Sequence, residues 1–329
     1  MIPTQAIIDF GDTMFKHTLP ILLLVASSFA QAANPITSSV FTADPAALVD
    51  KGRVYLYVGH DEAPAGHDGY VMKEWRIFSS CDMQHWTAHS AGIPLSTFAW
   101  AASDAWASDI AQRNGKYYFY AAVEHKSIPG KAIAVAVSDS PTGPFKDARG
   151  AALVTNDMTR ETAIAWDDID PAVFIDDDGQ AWLYWGNTVM KYAKLKPNMI
   201  ELDGPIHTVG LDSFTEAAYL HKHAGHYYLS YSQQFPERTV YVSGPSATGP
   251  WSWGGVIMEK NSNVNTVHQA IVDFNGKSYI FYHNGKLPSG GEFRRSVAVE
   301  ELRYGADGKI LPVAQTAQGP VANPSAACR

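Results

Sequence analysis

Five ionisable residues recur at one place in a repeated phrase. Asp44 opens the run DPAALV, Asp109 opens DIAQ, Asp170 opens DPAVFI, Glu216 opens EAAYL and His268 opens HQAIV. Six to nine residues after each stands a glycine, at Gly52, Gly115, Gly179, Gly225 and Gly276, followed by a strand of alternating aromatic residues such as Tyr55, Tyr57, Tyr118 and Tyr120. If the five openings meet in space, acidic groups crowd a small volume, where burial and like charge push their pKa values apart. Cleavage of a glycosidic bond uses such a pair, one carboxylic acid to protonate the leaving oxygen and one carboxylate on the opposite side. A separation of roughly 6.5–9.5 Å admits a water and inverts the anomeric carbon, whereas about 5–5.5 Å implies a covalent intermediate.

The elements that must position these residues follow from the same repeat. The glycines lie 46 to 64 residues apart, the spacing of a four-stranded unit. From Asn34 onward, runs of four to eight residues rich in Val, Ile, Tyr, Phe and Trp are separated by Gly, Asn, Asp and Pro turns, and no long stretch has helical periodicity. Outer segments repeat as well: SSCDMQHW (79–86), SDSPTGPF (138–145) and SGPSATGPW (243–251) each end on an aromatic residue suited to packing between sheets. The pattern predicts an all-β, five-bladed β-propeller over residues 34–313, with a C-terminal tail over 314–329. A β-sandwich does not explain why polar residues recur at one fixed point in every unit. In a propeller the first strand of each blade runs along the axis, so the five openings face the mouth of the central channel.

Composition narrows the function classes. With 46% hydrophobic and 18% charged residues among 329, the chain can bury a large core. A net charge of -8 without a basic patch argues against nucleic acid as a partner. Residues 1–32 read as a signal peptide: Lys16 and His17 precede an apolar run from Leu19 to Ala30, and Ala30-Gln31-Ala32 suits a signal peptidase. The mature product is then periplasmic or secreted, with no membrane association after cleavage, and a monomer is expected. Cys81 and Cys328 make neither a zinc motif nor a disulfide framework. Pairing would staple the tail to the first repeat; the reading preferred from sequence is one buried thiol and one thiol in a disordered tail. Asp176-Asp177-Asp178 reads as a solvated hairpin turn, and His221, His223 and His226 as surface residues.

Asp44 and Asp170 each precede proline, which favours an extended backbone and removes the next amide donor. Glu216, one methylene longer, reaches further across the channel. The segments TADP at Asp44, DIDPAVFIDDDG at Asp170 and FTEAAYL at Glu216, followed by a late His268, resemble glycoside hydrolase family 43, the inverting five-bladed-propeller arabinofuranosidases and xylosidases. That resemblance implies Asp44 as general base, Glu216 as general acid, and Asp170 as the residue that orients the acid and tunes its pKa. It also implies that Trp106 stacks on a sugar face. Trp106-Ala107-Ser108-Asp109 is similar to the family's Trp-Ala-Pro-Asp motif, with Ser108 in place of proline, and Asp109 either contacts sugar or bonds backbone amides. His268 resembles a histidine near the axis that binds a metal, often calcium, directly or through water. Arg295 resembles an arginine that contacts sugar hydroxyls close to the acid; Phe235 and the pair His60 and Asp61 are further pocket candidates. No cofactor is needed for the chemistry. The segment from His283 to Gly291 looks more like arabinofuranosidases than xylosidases, so the implied activity is release of terminal α-L-arabinofuranosyl groups from arabinan or arabinoxylan fragments. The alternatives are a β-xylosidase of the same family, a non-catalytic carbohydrate-binding propeller and a retaining fructan hydrolase.

Overall fold

The computed structural model describes Met1 and residues 34–159, 161–260 and 263–328. The predicted signal peptide lies outside the described residues beyond Met1, and among those described no helix is long and apolar enough to cross a membrane. Residues from Asn34 onward form five antiparallel sheets in chain order, the five blades of a β-propeller. Blade 1 is β1 (Thr42–Asp50), β2 (Arg53–His60), β3 (Glu74–Ser80) and β4 (Trp86–Pro94). Blade 2 is β5 (Ala101–Ser103), β6 (Ser108–Arg113), β7 (Lys116–His125), β8 (Lys131–Ser138), β9 (Lys146–Asp147) and β10 (Val154–Thr155). Blade 3 is β11 (Ala172–Ile175), β12 (Ala181–Trp185), β13 (Met190–Leu195) and β14 (His207–Val209). Blade 4 is β15 (Phe214–His223), β16 (His226–Gln233), β17 (Arg238–Gly244) and β18 (Ser252–Met258). Blade 5 is β19 (Ala270–Phe274), β20 (Lys277–Asn284) and β21 (Ser296–Leu302).

The recurring glycine has a backbone cause. Gly52, Gly115, Gly225 and Gly276 follow Lys51, Asn114, Ala224 and Asn275, and all eight residues have positive φ. Two successive positive φ values make the type I′ turn, whose twist matches that of the flanking strands. The aromatic strand after each turn is buried on both faces, so it packs against the blades on either side. The aromatic ends of the outer segments do pack between sheets. Trp86 meets Phe281 edge-on at 5.7 Å, joining blades 1 and 5, and Phe145 meets Tyr57 edge-on at 6.2 Å, joining blades 2 and 1.

The three-stranded last blade is completed from the other end of the chain. Ile36 donates its amide to the Val297 carbonyl at 2.9 Å, and the Asn34 side chain bonds both the amide and the carbonyl of Val299. The tail closes the same seam. Asn323 donates its amide to the Asp82 carbonyl, Ser325 to that of Cys81, and Cys328 is disulfide-bonded to Cys81 with Cα atoms 5.7 Å apart. This overturns the expectation of two separate thiols: the tail is held along the seam by backbone and Asn323 side-chain bonds, which bring residues 247 positions apart into bonding range.

Two local readings also change. His221 is buried, its ring stacked on Tyr228 and its Nε2 2.8 Å from the Tyr304 hydroxyl, rather than lying on the surface. Asp176 is an anchored turn residue, accepting from the Tyr227 hydroxyl and from Lys222.

Candidate active site

Asp44 is the third residue of β1, Glu216 the third of β15, and Asp170 and His268 each stand two residues ahead of the first strand of a blade. All four line one cavity of about 540 Å³, within the size range of small-ligand sites. The strands are distorted where the acids sit. Pairing of β1 with β2 shifts register between Ala43 and Ala46, and β15 with β16 shifts on both sides of Glu216. Bulges of this kind re-aim a side chain out of strict alternation.

Asp44 and Asp170 have φ values of 49° and 57°, which corrects the extended backbone expected ahead of proline. Aspartate is among the few side chains that tolerate positive φ, because its short polar group bonds locally. Here the bonding partners come from other blades. The Asp170 Oδ2 accepts the Ala217 amide at 2.8 Å, Ala217 itself having φ 56°. The Asp44 amide donates to His283 Nδ1 at 3.3 Å, while His283 Nε2 lies 3.0 Å from the Thr266 carbonyl.

The two carboxyls expected to do the chemistry are driven in opposite directions. Burial by itself would raise Asp44. Arg295, whose Nη1 donates to its Oδ1 at 2.9 Å, leads the neighbours that outweigh burial and hold the group well below the usual carboxylate range. Glu216 is pushed up to about 7, first by burial and then by the negative charge of Asp44. Asn187 Nδ2 donates to Glu216 Oε2 at 2.8 Å and partly offsets that rise. Asp170 is raised strongly, by burial and then by Glu216 and Asp44. The cavity therefore holds one anchored carboxylate beside two carboxyls displaced upward, Glu216 to about 7.

The remaining candidates divide. Trp106 lines the cavity with Lys131 Nζ 3.8 Å from its ring centroid, and Phe235, 67% exposed, stands at the rim. Arg295 also lines the cavity, but its partners are Asp44 and Asp61 rather than the acid; Asp61 takes the Arg295 backbone amide, Nε and Nη2. Asp61 is thus the buried support of that arginine, and His60 bonds Glu74; neither reaches the cavity. Asp109 is not brought to the cavity either. Its Oδ2 accepts the Val173 amide at 2.7 Å, a tie from blade 2 to blade 3.

His268 is buried with Nδ1 3.7 Å from Asp170 Oδ2, and burial lowers its pKa to about 4. Among the described residues no group of three or more His, Cys, Asp or Glu side chains is arranged to hold a metal. One imidazole beside a shared carboxyl does not supply the oxygen cage that calcium takes, so a hard cation there would draw most of its ligands from water.

Several lining residues escape sequence reasoning: Tyr70, Trp166, Asn187, Glu237, Glu292 and Phe293. Asn187 stands two residues beyond the aromatic strand of its repeat, and that position was a readable signal. The others come from connecting loops with no counterpart in the repeat. Tyr70 and Glu292 join two such loops, the Tyr70 hydroxyl donating to Glu292 Oε1 at 2.9 Å.

A five-bladed propeller whose cavity sets two carboxyls of raised pKa beside an arginine-held carboxylate is the architecture of a glycosidase. The chain belongs to glycosyl hydrolases family 43, whose family model matches residues 32–310. It is 31% identical to the xylosidase/arabinosidase 43A of Humicola insolens, over 84% of this chain and 98% of that protein. A β-xylosidase/α-arabinofuranosidase of the family from a compost microbial metagenome, solved with xylotriose, superimposes with a TM-score of 0.77 at 30% identity, covering 86% of this chain and 98% of the other. An α-L-arabinofuranosidase from Clostridium thermocellum superimposes with a TM-score of 0.71 at 35% identity, covering 87% and 98%.

Proposed function

We propose that the protein is an inverting exo-glycosidase that releases terminal α-L-arabinofuranosyl groups from arabinan- or arabinoxylan-derived chains. The observation that carries this reading is the opposite displacement of Asp44 and Glu216 within one cavity. Asp44, kept ionised by Arg295, acts as the base that takes a proton from the attacking water. Glu216, protonated near neutrality, donates to the departing glycosidic oxygen. Asp170 grips the Ala217 amide, fixing the residue next to the acid. Trp106 and the rim residue Phe235 offer apolar faces to sugar rings.

The 35% identical arabinofuranosidase supports arabinose over xylose. The relative named for both activities and the structure holding xylotriose support a second reading, β-xylosidase action at the same site. Export to the periplasm or medium is supported by the Cys81–Cys328 bond, since structural disulfides persist in oxidising compartments. The deciding experiment is a product assay on arabinan, arabinoxylan, an aryl α-L-arabinofuranoside and an aryl β-D-xyloside. Free arabinose with a higher kcat/KM on the arabinofuranoside is the expected result, and preference for the xyloside overturns it.

A further inference from the structure

The mechanism above leaves unused a fully buried cation bonded to the segment that leads into Asp170. Lys191, on β13, is 0% exposed. Its Nζ lies 3.1 Å from the Asp167 carbonyl, 2.9 Å from Asp167 Oδ2 and 3.4 Å from Asp168 Oδ1. Asp168 is held in turn by the Thr159 hydroxyl at 2.6 Å and the Trp185 Nε1 at 2.8 Å. These aspartates belong to the segment that ends in Asp170. The same Asp167 carbonyl accepts the Asn187 amide at 3.0 Å, and the Ile169 carbonyl accepts the Gly186 amide at 2.8 Å. Asn187 is the residue whose side chain bonds Glu216.

We propose that Lys191 is a positioning residue of the active site, clamping the Asp167–Asp168 segment so that Asp170 and Asn187 both meet Glu216 in working geometry. The inference rests on the acid and orienting roles proposed for Glu216 and Asp170. Stability alone is a poor reason to keep such a group. Burying one ammonium and two carboxylates is costly, and an apolar side chain of similar volume in place of a buried ion cluster is often neutral or stabilising. What the ions provide that an apolar side chain cannot is direction: three contacts from one nitrogen fix a carbonyl that Asn187 also uses. A displacement of about 1 Å at a catalytic group can cost on the order of 100-fold in rate.

The test is Lys191→Met in the whole chain, assayed on an aryl glycoside with a poor leaving group. The expected result is a fall in kcat of about 10- to 100-fold with KM changed less than about threefold. A second readout separates positioning from loose folding. The Asn187 hydrogen bond favours the Glu216 carboxylate, so losing its geometry moves the alkaline limb of kcat/KM to higher pH, as Asn187→Ala does. The other charged groups facing Glu216 (Asp44, Asp170, Glu237, Glu292 and Arg295) are unchanged in both variants. A variant with wild-type kcat, or with reduced kcat and an alkaline limb superimposed on the wild type, overturns the proposal. If Lys191→Met does not fold, the triple variant Lys191→Met, Asp167→Asn, Asp168→Asn removes all three charges together and is read by the same two outcomes. Full turnover in Glu216→Ala would instead defeat the site assignment itself, a result independent of Lys191.

Discussion

Asp44, buried, and Glu216, half-buried, are carboxyls facing one cavity, and the difference between them is chiefly their neighbours. Arg295 touches Asp44, whereas Glu216 accepts from the Asn187 amide and faces the negative charge of Asp44. Removing Asp44 should cut turnover on every substrate, since it removes the carboxylate that Arg295 holds ionised; the expected loss is at least about 10²–10⁴-fold. Glu216→Ala should lose a similar factor on substrates whose leaving group needs a proton and far less on activated aryl glycosides, as kcat/KM across a leaving-group series will show. Equal losses across that series would contradict the acid assignment. The pH profile follows with its sign. Glu216 works protonated, so kcat/KM should fall as pH rises through about 7. Asp44 works ionised and sits below the usual carboxylate range, so no acid limb from the base is expected near pH 4, where an unperturbed aspartate would titrate. An alkaline limb near the ordinary glutamate value would count against the account.

The strands were legible because their causes are local. A glycine with positive φ is demanded by each type I′ turn, and alternating aromatics are demanded by a strand buried on both faces. The acids at the strand openings were legible as a register within the repeat. Their conformation was not, because proline chemistry argues for extended backbone, whereas Asp44 sits at a bulge and Asp170 is bonded to the next blade, and both have positive φ. Asp109 shows the same limit: the repeat places it in register, but only the packed blades show its carboxylate spent on the Val173 amide. Asp109→Ala leaves that buried amide without an acceptor, an expected loss of about 1–3 kcal/mol. Denaturant unfolding should register it, with KM for an aryl glycoside unchanged; a large rise in KM would restore Asp109 as a sugar contact. Tyr70, Glu237 and Glu292 reach the cavity on loops, and nothing in a strand repeat encodes where loops end.

At the scale of the molecule, the channel exists only if the ring closes, and the closure draws on both ends of the described chain. Asn34 and Ile36 complete blade 5, and the tail crosses to blade 1 through Asn323, Ser325 and the disulfide. The pairing of Cys81 with Cys328 was illegible in sequence because it depends on where a tail without strands is held. Cys328→Ser should cost about 2–5 kcal/mol of stability, read by denaturant unfolding beside the reduced wild type, and should leave kcat intact because neither cysteine faces the cavity. A variant as stable as the oxidised protein would show the seam to be closed by hydrogen bonds and packing alone. The central claim, that a water activated by Asp44 attacks opposite a leaving group protonated by Glu216, is tested most directly by ¹H NMR of the first sugar released from an aryl α-L-arabinofuranoside. The account predicts the inverted β-anomer at early times, followed by slow mutarotation; initial appearance of the α-anomer would contradict it.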